Sequence, residues 1–210
     1  MPPCAILCGM NEQKPTTLFR LAQAISLIGS PFLLAALLLL IVAWHATHRV
    51  APALGWASLT AFFVTLGPLA LLAVAVQRGK VRNLDIDVRA ERPWPMLVAL
   101  GLTVLGLVAL WLLGAPRLLL VLLVATLLGG VVALLITLRW KISIHSGGAA
   151  GSATVLAILY GAWALPLMLG VLVIGWSRVT LGKHTWAQVI AGALVSGLIT
   201  VLVFAVGLTA

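Results

Sequence analysis

Long apolar runs separated by short polar joints set the pattern of this chain. Residues 1–28 read as an N-terminal tail leading into an amphipathic helix, and 29–210 as one transmembrane domain. A bilayer-crossing helix needs about 20 mostly apolar residues. Runs that meet or approach this length are expected over 29–48, 51–77, 96–113, 118–138, 148–163, 166–180 and 185–208. The fifth and sixth are short, which suits tilted helices or helices enclosed by their neighbours. The pattern therefore predicts an all-α, polytopic transmembrane helix bundle of about six or seven spans. Gly147 and Gly151 form a small-xxx-small face suited to close helix packing. Trp94, Trp111, Trp140, Trp163, Trp176 and Trp186 fall near expected span ends, as interfacial anchors do.

Composition makes the membrane reading firm. The 210 residues are 63% hydrophobic and 8% charged, with a mean hydropathy of +1.22, outside the range of water-soluble domains. The formal charge of +9 then reflects membrane topology rather than a nucleic-acid partner. Cys4 and Cys8 both lie in the tail, so no disulfide framework is expected. Met10 begins a more ordinary N-terminus than Met1, and no cleavable signal pattern precedes the spans.

Three polar joints stand out: "RGKVRNLDIDVRAERPWP" over 78–95, "RWKISIHSGG" over 139–148, and "SRVTLGKHTWAQ" over 177–188. Two spans separate each from the next, so all three are expected at one face of the membrane. With seven spans, eleven of the 13 Lys and Arg share that side with the tail, and only Arg49 and Arg117 lie opposite. The positive-inside rule puts the joints in the cytoplasm of an inner (cell) membrane protein. Cations, a hydroxyl and imidazoles dominate them: Arg92, Lys141, Ser143, His145, Arg178, Lys183 and His184. Guanidinium groups take phosphate oxygens in bidentate fashion. Histidines supply a nucleophile and a general acid near neutral pH. Gly147 and Gly148 are expected to start the fifth helix, whose free N–H groups would favour an anion. Snorkelling to lipid headgroups accounts for single arginines, but poorly for Ser143, His145 and His184.

These segments resemble the three signature motifs of the type 2 phosphatidic acid phosphatase superfamily, the membrane lipid phosphate phosphatases. That family shows Lys-x6-Arg-Pro, then Pro-Ser-Gly-His, then Ser-Arg-x5-His-x3-Asp. Here Ser177, Arg178 and His184 match the third motif, with Gln188 in the aspartate's place. Ser143 and His145 match the second, with Ile142 for the proline and Ile144 for the glycine. Arg92 and Pro93 match the end of the first, whose lysine position holds Asp85. The resemblance covers roughly residues 78–190 and implies a phosphatase-like core. It implies that His184 attacks phosphorus to form a phosphohistidine and that His145 protonates the leaving alkoxide. Arg92, Ser143 and Arg178 would hold the phosphate oxygens, with no metal and no cofactor.

Lys141, beside Ser143, is the favoured replacement for the missing lysine. Gln188 stands one turn after His184, so its amide oxygen can accept from the imidazole without bringing charge. Asp85 would repel a phosphate unless Arg82 or Arg89 pairs with it. His45 and His48 are expected at the far interface, and Tyr160 inside the bundle. The expected partners are a lipid phosphate substrate, prenyl or acyl, and membrane lipids, with homo-oligomerisation left open. Two rival readings remain. A prenyltransferase or alcohol phosphatidyltransferase would need paired acidic motifs for Mg²⁺. The chain has only Glu12, Asp85, Asp87 and Glu91. A catalytically weak relative would serve as a lipid-phosphate-binding, scaffold or transport protein.

Overall fold

The computed structural model describes residues 16–209, so Cys4, Cys8 and Met10 lie outside the described residues. Helix α1 (Thr17–Ile28) is capped by the Thr16 hydroxyl and α2 (Pro31–Thr47) by the Ser30 hydroxyl. Pro31 takes the first position of α2, where its missing N–H costs nothing. Helices α3 (Val50–Ala61) and α4 (Gly67–Gln77) form one continuous span through a π-type turn over Phe62–Leu66. Pro68 cannot donate to the preceding turn, and the wider turn, closed by Gly67 N–H to Phe62 O, absorbs that break. Then come α5 (Pro93–Leu112), α6 (Arg117–Thr137), α7 (Ile144–Tyr160), α8 (Leu167–Thr180) and α9 (Trp186–Thr209). Among the described residues there is no strand.

Five helical segments are long and apolar enough to cross a membrane. The pair α1 and α2, bent by 43°, passes the same test only when the two helices are taken together, for up to six candidate spans. The sixth expected span, α8, has 14 residues, about 21 Å of helix against a hydrocarbon core of about 30 Å. It is flanked by a short 3₁₀ turn over Gly161–Ala164 and by Pro166. It nonetheless returns the chain to the end where α7 began. Tyr160 at the end of α7 sits edge-on to His45 near the end of α2, while Arg178 at the end of α8 meets Asp85.

The two ends of the bundle are built differently. Leu110, Leu119, Leu123, Val42 and Phe204, all nearly inaccessible, form a large-residue core towards the far end. At the other end the interior is Ala149, Ala150, Ala153, glycines and hydroxyls, which let helices approach closely. Helix α7 runs through the middle, touching α2, α8 and α9. It is the least apolar candidate span and the most enclosed. Gly147 of α7 faces Ser196, and Gly192 of α9 faces the Ser143 carbonyl. Leucines on the outer faces of α5, α6 and α9 are exposed, as lipid-facing positions are. Trp94, Trp111, Trp140, Trp163 and Trp186 are also exposed near helix ends.

A Cβ at position 192 would overlap the Ser143 carbonyl oxygen, whereas one at Gly55 meets nothing within 4 Å. Gly192→Ala is therefore expected to destabilise the protein by about 1–3 kcal/mol. Gly55→Ala should be neutral or slightly stabilising. Thermal unfolding of the two variants in detergent checks the difference, and equal midpoints would refute it.

Candidate active site

The three polar joints meet at one end of the bundle and are tied to one another mainly through backbone carbonyls. In the first, Arg92 is 2% exposed. Its Nε donates to Ile86 O at 2.9 Å and its NH1 to Ile142 O at 2.8 Å, joining the first link to the second. Arg89 donates to Thr137 O and Leu138 O at the end of α6. Arg82 pairs with Glu91 at 3.3 Å. In the second link, Lys141 Nζ donates to Lys183 O at 2.7 Å. Ser143 N–H donates to Gln188 O at 3.2 Å. Lys183 and Asp87 form an ion pair that joins the third link to the first.

The Ser143 hydroxyl caps α7, accepting from Ser146 N–H, and lies 3.0 Å from the Ser146 hydroxyl. Helix α7 thus starts at Ile144, one turn earlier than the expected start at Gly147 and Gly148. Gly147 N–H is already bonded to Ser143 O, so the anion-facing donors expected there are spent inside the helix. His145 stands in the first turn and is buried. Its charged neighbours are Arg178, Asp85 and Arg92.

Arg178, in the last turn of α8, is 1% exposed. Its NH1 lies 2.6 Å from the Ser26 hydroxyl of α1 and 3.0 Å from Asp85 Oδ2, while its Nε has no partner. Neither Arg82 nor Arg89, the two partners considered for Asp85 from the sequence, pairs with it. Glu91 and the α6 carbonyls occupy those arginines, and Asp85 lies on the buried Arg178. Ser26 carried no sequence signal, because it is 152 positions from its partner.

Gly182, with φ +64°, ends α8 and turns the chain to His184. His184 Nδ1 lies 3.0 Å from Gln188 Oε1. The same oxygen accepts from Thr185 N–H at 3.3 Å, and Thr185 Oγ1 accepts from Gln188 N–H at 3.4 Å. This reciprocal pair is a capping box at the start of α9, written in the sequence as Thr185-x-x-Gln188 and missed there. It fixes the tautomer. An N–H donor requires oxygen at that amide position, so the imidazole must carry its hydrogen on Nδ1. The Nε2 lone pair is left free.

Burial, the nearby Arg92 charge and then Lys141 and Arg178 push the His184 pKa from 6.5 to about 3, against the opposing Gln188 bond. Burial and the adjacent Arg92 likewise hold Lys141 below its usual range. Burial would raise the Asp87 pKa, but its bonds to Lys183 and Asn83 outweigh that and lower it.

Arg92 and Arg178 are the only buried guanidinium groups among the described residues. Arg92, Lys141, Arg178 and Lys183 face only the carboxylates Asp85 and Asp87, an excess of two positive charges. Buried charge of this kind is stabilised by an anion. Ile142, Ser143 and Ile144 also bound one end of an apolar cavity of about 300 Å³ between α2, α6, α7 and α9, which reaches Leu122, Val155 and Thr200. Among the described residues, no group of three or more His, Cys, Asp or Glu could hold a metal ion.

No family model matches the chain, and neither a curated protein nor a solved structure matches it.

A depressed histidine pKa means that the unfolded chain binds more protons, so stability is lost as pH falls from 6.5 towards 3. Histidine ¹⁵N spectra should show His184 neutral, with hydrogen on Nδ1, from about pH 8 down to about pH 5. Titration of its Nε2 near the ordinary value would contradict the burial argument.

Proposed function

We propose that the protein is an integral membrane phosphatase. It removes phosphate from a lipid phosphate or diphosphate, isoprenyl or glycerolipid, through a phosphohistidine on His184. The observation that carries this reading is the meeting of two buried guanidinium groups with two imidazoles, His145 and His184, at one end of an apolar bundle. The motif resemblance, with Ser143, His145, Arg178 and His184 at matching spacings, supports it.

In the proposed reaction the phosphoryl group sits on Arg92 and Arg178, with the lipid tail in the apolar cavity beside Ser143. The His184 Nε2 lone pair attacks phosphorus as the bond to the lipid oxygen breaks. Charge spread over the phosphoryl oxygens is met by fixed guanidinium groups. His145, which takes up a proton with the negatively charged phosphate beside it, gives that proton to the leaving alkoxide, then takes one from the water that hydrolyses the N–P bond and releases inorganic phosphate. Gln188 holds the His184 ring but brings no negative charge to balance the imidazolium that forms. Lys141 acts here by bracing the third link and adding positive potential, since its ammonium is bonded to Lys183 O.

The charge asymmetry of the joints supports a cytoplasm-facing site in the cell membrane, which suits a biosynthetic lipid phosphate. A second reading is favoured by Asp85 and Gln188, which replace the lysine and the aspartate of the family pattern. On that reading the protein binds a lipid phosphate without turning it over, as a scaffold or transporter.

Purified protein should release inorganic phosphate from at least one prenyl or acyl phosphate, and ³²P from the labelled lipid should become acid-labile on the chain. His184→Ala should abolish both. Gln188→Glu keeps the length of the capping side chain and adds the missing charge. It should raise kcat about tenfold, within the roughly 10⁴ that a triad carboxylate is worth elsewhere. Lipid binding with no release from any substrate would establish the second reading instead.

Sidedness is a separate question. In a background with Cys4 and Cys8 replaced by serine, Lys80→Cys, exposed in the first link, should resist impermeant thiol reagents in intact cells. It should react after permeabilisation.

A further inference from the structure

The position where the resemblance places a cation holds Asp85, and its carboxylate has a specific seat. Asp85 Oδ2 lies 3.0 Å from Arg178 NH1, and its side chain is 37% exposed where the Arg178 side chain is 1% exposed. The carboxylate therefore covers the outward side of a buried guanidinium whose Nε is unpartnered. Asp85 is also among the charged neighbours of His145. A carboxylate there occupies the place that a phosphate oxygen would take on the same cation.

The backbone shows that this placement is enforced. Ile86 has φ +47°, a left-handed conformation that a β-branched residue rarely adopts. Such strain persists only where the surroundings over-determine it, and it collects at functional sites. Here the surroundings are visible. Ile86 O accepts from Arg92 Nε, and Ile86 N–H donates to Asn83 O. The Ile86 side chain is buried against Leu72, Ala75 and Val81. Asn83 Nδ2 donates to Asp87 Oδ2, which pairs with Lys183. One strained turn thus aims two carboxylates, two residues apart, at two cations of the site.

We propose that Asp85 is a built-in competitor for the phosphate seat, selecting lipids with a terminal phosphomonoester over phosphodiester headgroups. The inference rests on the phosphate seat proposed above. A bilayer presents phosphodiester headgroups in great excess, each with one negative charge on its phosphate. A singly charged diester gains no electrostatic advantage over the carboxylate it must displace. A phosphomonoester carries close to two charges above its second pKa of about 6, with three acceptor oxygens, and displaces it. Selectivity then comes from penalising the wrong ligand as well as from attracting the right one. The released Asp85 already reaches solvent, so displacement needs only rotation of its side chain.

The test is calorimetric binding of inorganic phosphate and of dimethyl phosphate to the full chain in detergent at about pH 8. Wild type should bind phosphate and discriminate against the diester. Asp85→Asn should bind phosphate about tenfold more tightly and gain measurable diester binding. Ile86→Gly keeps the carboxylate and relaxes its tether, and should shift both affinities in the same direction. It serves as the deciding variant if Asp85→Asn does not fold. Unchanged or weaker phosphate binding in the folded variants overturns the competitor and leaves the phosphate seat standing. Absence of phosphate binding in wild type and variants alike overturns the seat and the competitor together.

Discussion

Burial of two guanidinium groups among apolar helices is the constraint on which the rest of this structure depends. A charge in that setting is costly unless its donors are satisfied. Arg92 meets the requirement with backbone carbonyls from two different links, Ile86 and Ile142. Lys141 does the same for the third link through Lys183 O. Cations thus act as cross-braces. Arg92 and Lys141 close on carbonyls that a loop would otherwise leave unpaired near the membrane, whereas Arg178 closes on the Ser26 hydroxyl and the Asp85 carboxylate. The braces hold three chain segments in register, while the helices between them supply only apolar packing. Removing Arg92 would free two carbonyls and unlatch the first link from the second, quite apart from any ligand it holds.

That double duty explains what could be read from the sequence and what could not. The helices were legible because their signal is one-dimensional: apolar runs of sufficient length, ended by Pro, Gly or charge. Convergence of the three joints followed from counting spans. It survives although α8 is short, because a 14-residue helix flanked by a 3₁₀ turn still brings the chain back. Partner choice was less accessible. The pairing of Asp85 with Arg178 rather than Arg82 or Arg89 depends on a left-handed turn at Ile86, where no glycine marks the spot. Ser26 reaches Arg178 from a helix at the other end of the sequence. The early start of α7 was signalled by Ser143 as a cap, yet the paired glycines drew the boundary one turn late. The Thr185-x-x-Gln188 box was visible in principle and was overlooked because Gln188 was weighed only against an aspartate.

The division of the interior into a large-residue half and a small-residue half serves the site as well as the fold. Leucines and Phe204 form the buried core of the far end of the bundle, and Leu38, Leu39, Leu122 and Leu123 of that core also line the cavity. Near the site, glycines and hydroxyls bring α7 and α9 close enough for Gly192 to touch the Ser143 carbonyl. The same small residues leave an apolar cavity running inward from Ser143. At about 300 Å³ it is at the lower limit of ordinary ligand pockets, roughly 300–1,000 Å³. No charged side chain lines it; its link to the polar joints is through Ile142, Ser143 and Ile144.

The two departures from the family pattern are best understood together. One exchanges a cation for Asp85, and the other exchanges a carboxylate for Gln188. Negative charge has in effect moved away from the ring of His184 and towards Arg178. At His184, burial and the nearby Arg92 hold the imidazole pKa well below its ordinary value, and the neutral Gln188 opposes them only through its hydrogen bond. In the reaction proposed above, the lone pair would need no step to free it, but Gln188 would bring no charge to balance the positive ring. The consequence at Arg178 is opposite in kind: the cation is satisfied at rest and must exchange one anion for another. Both changes lower the resting cost of a buried, strongly basic site while raising the demand on the ligand. On the function proposed above, such a site would trade speed for discrimination, because its resting ion pair must be exchanged before a phosphate is held.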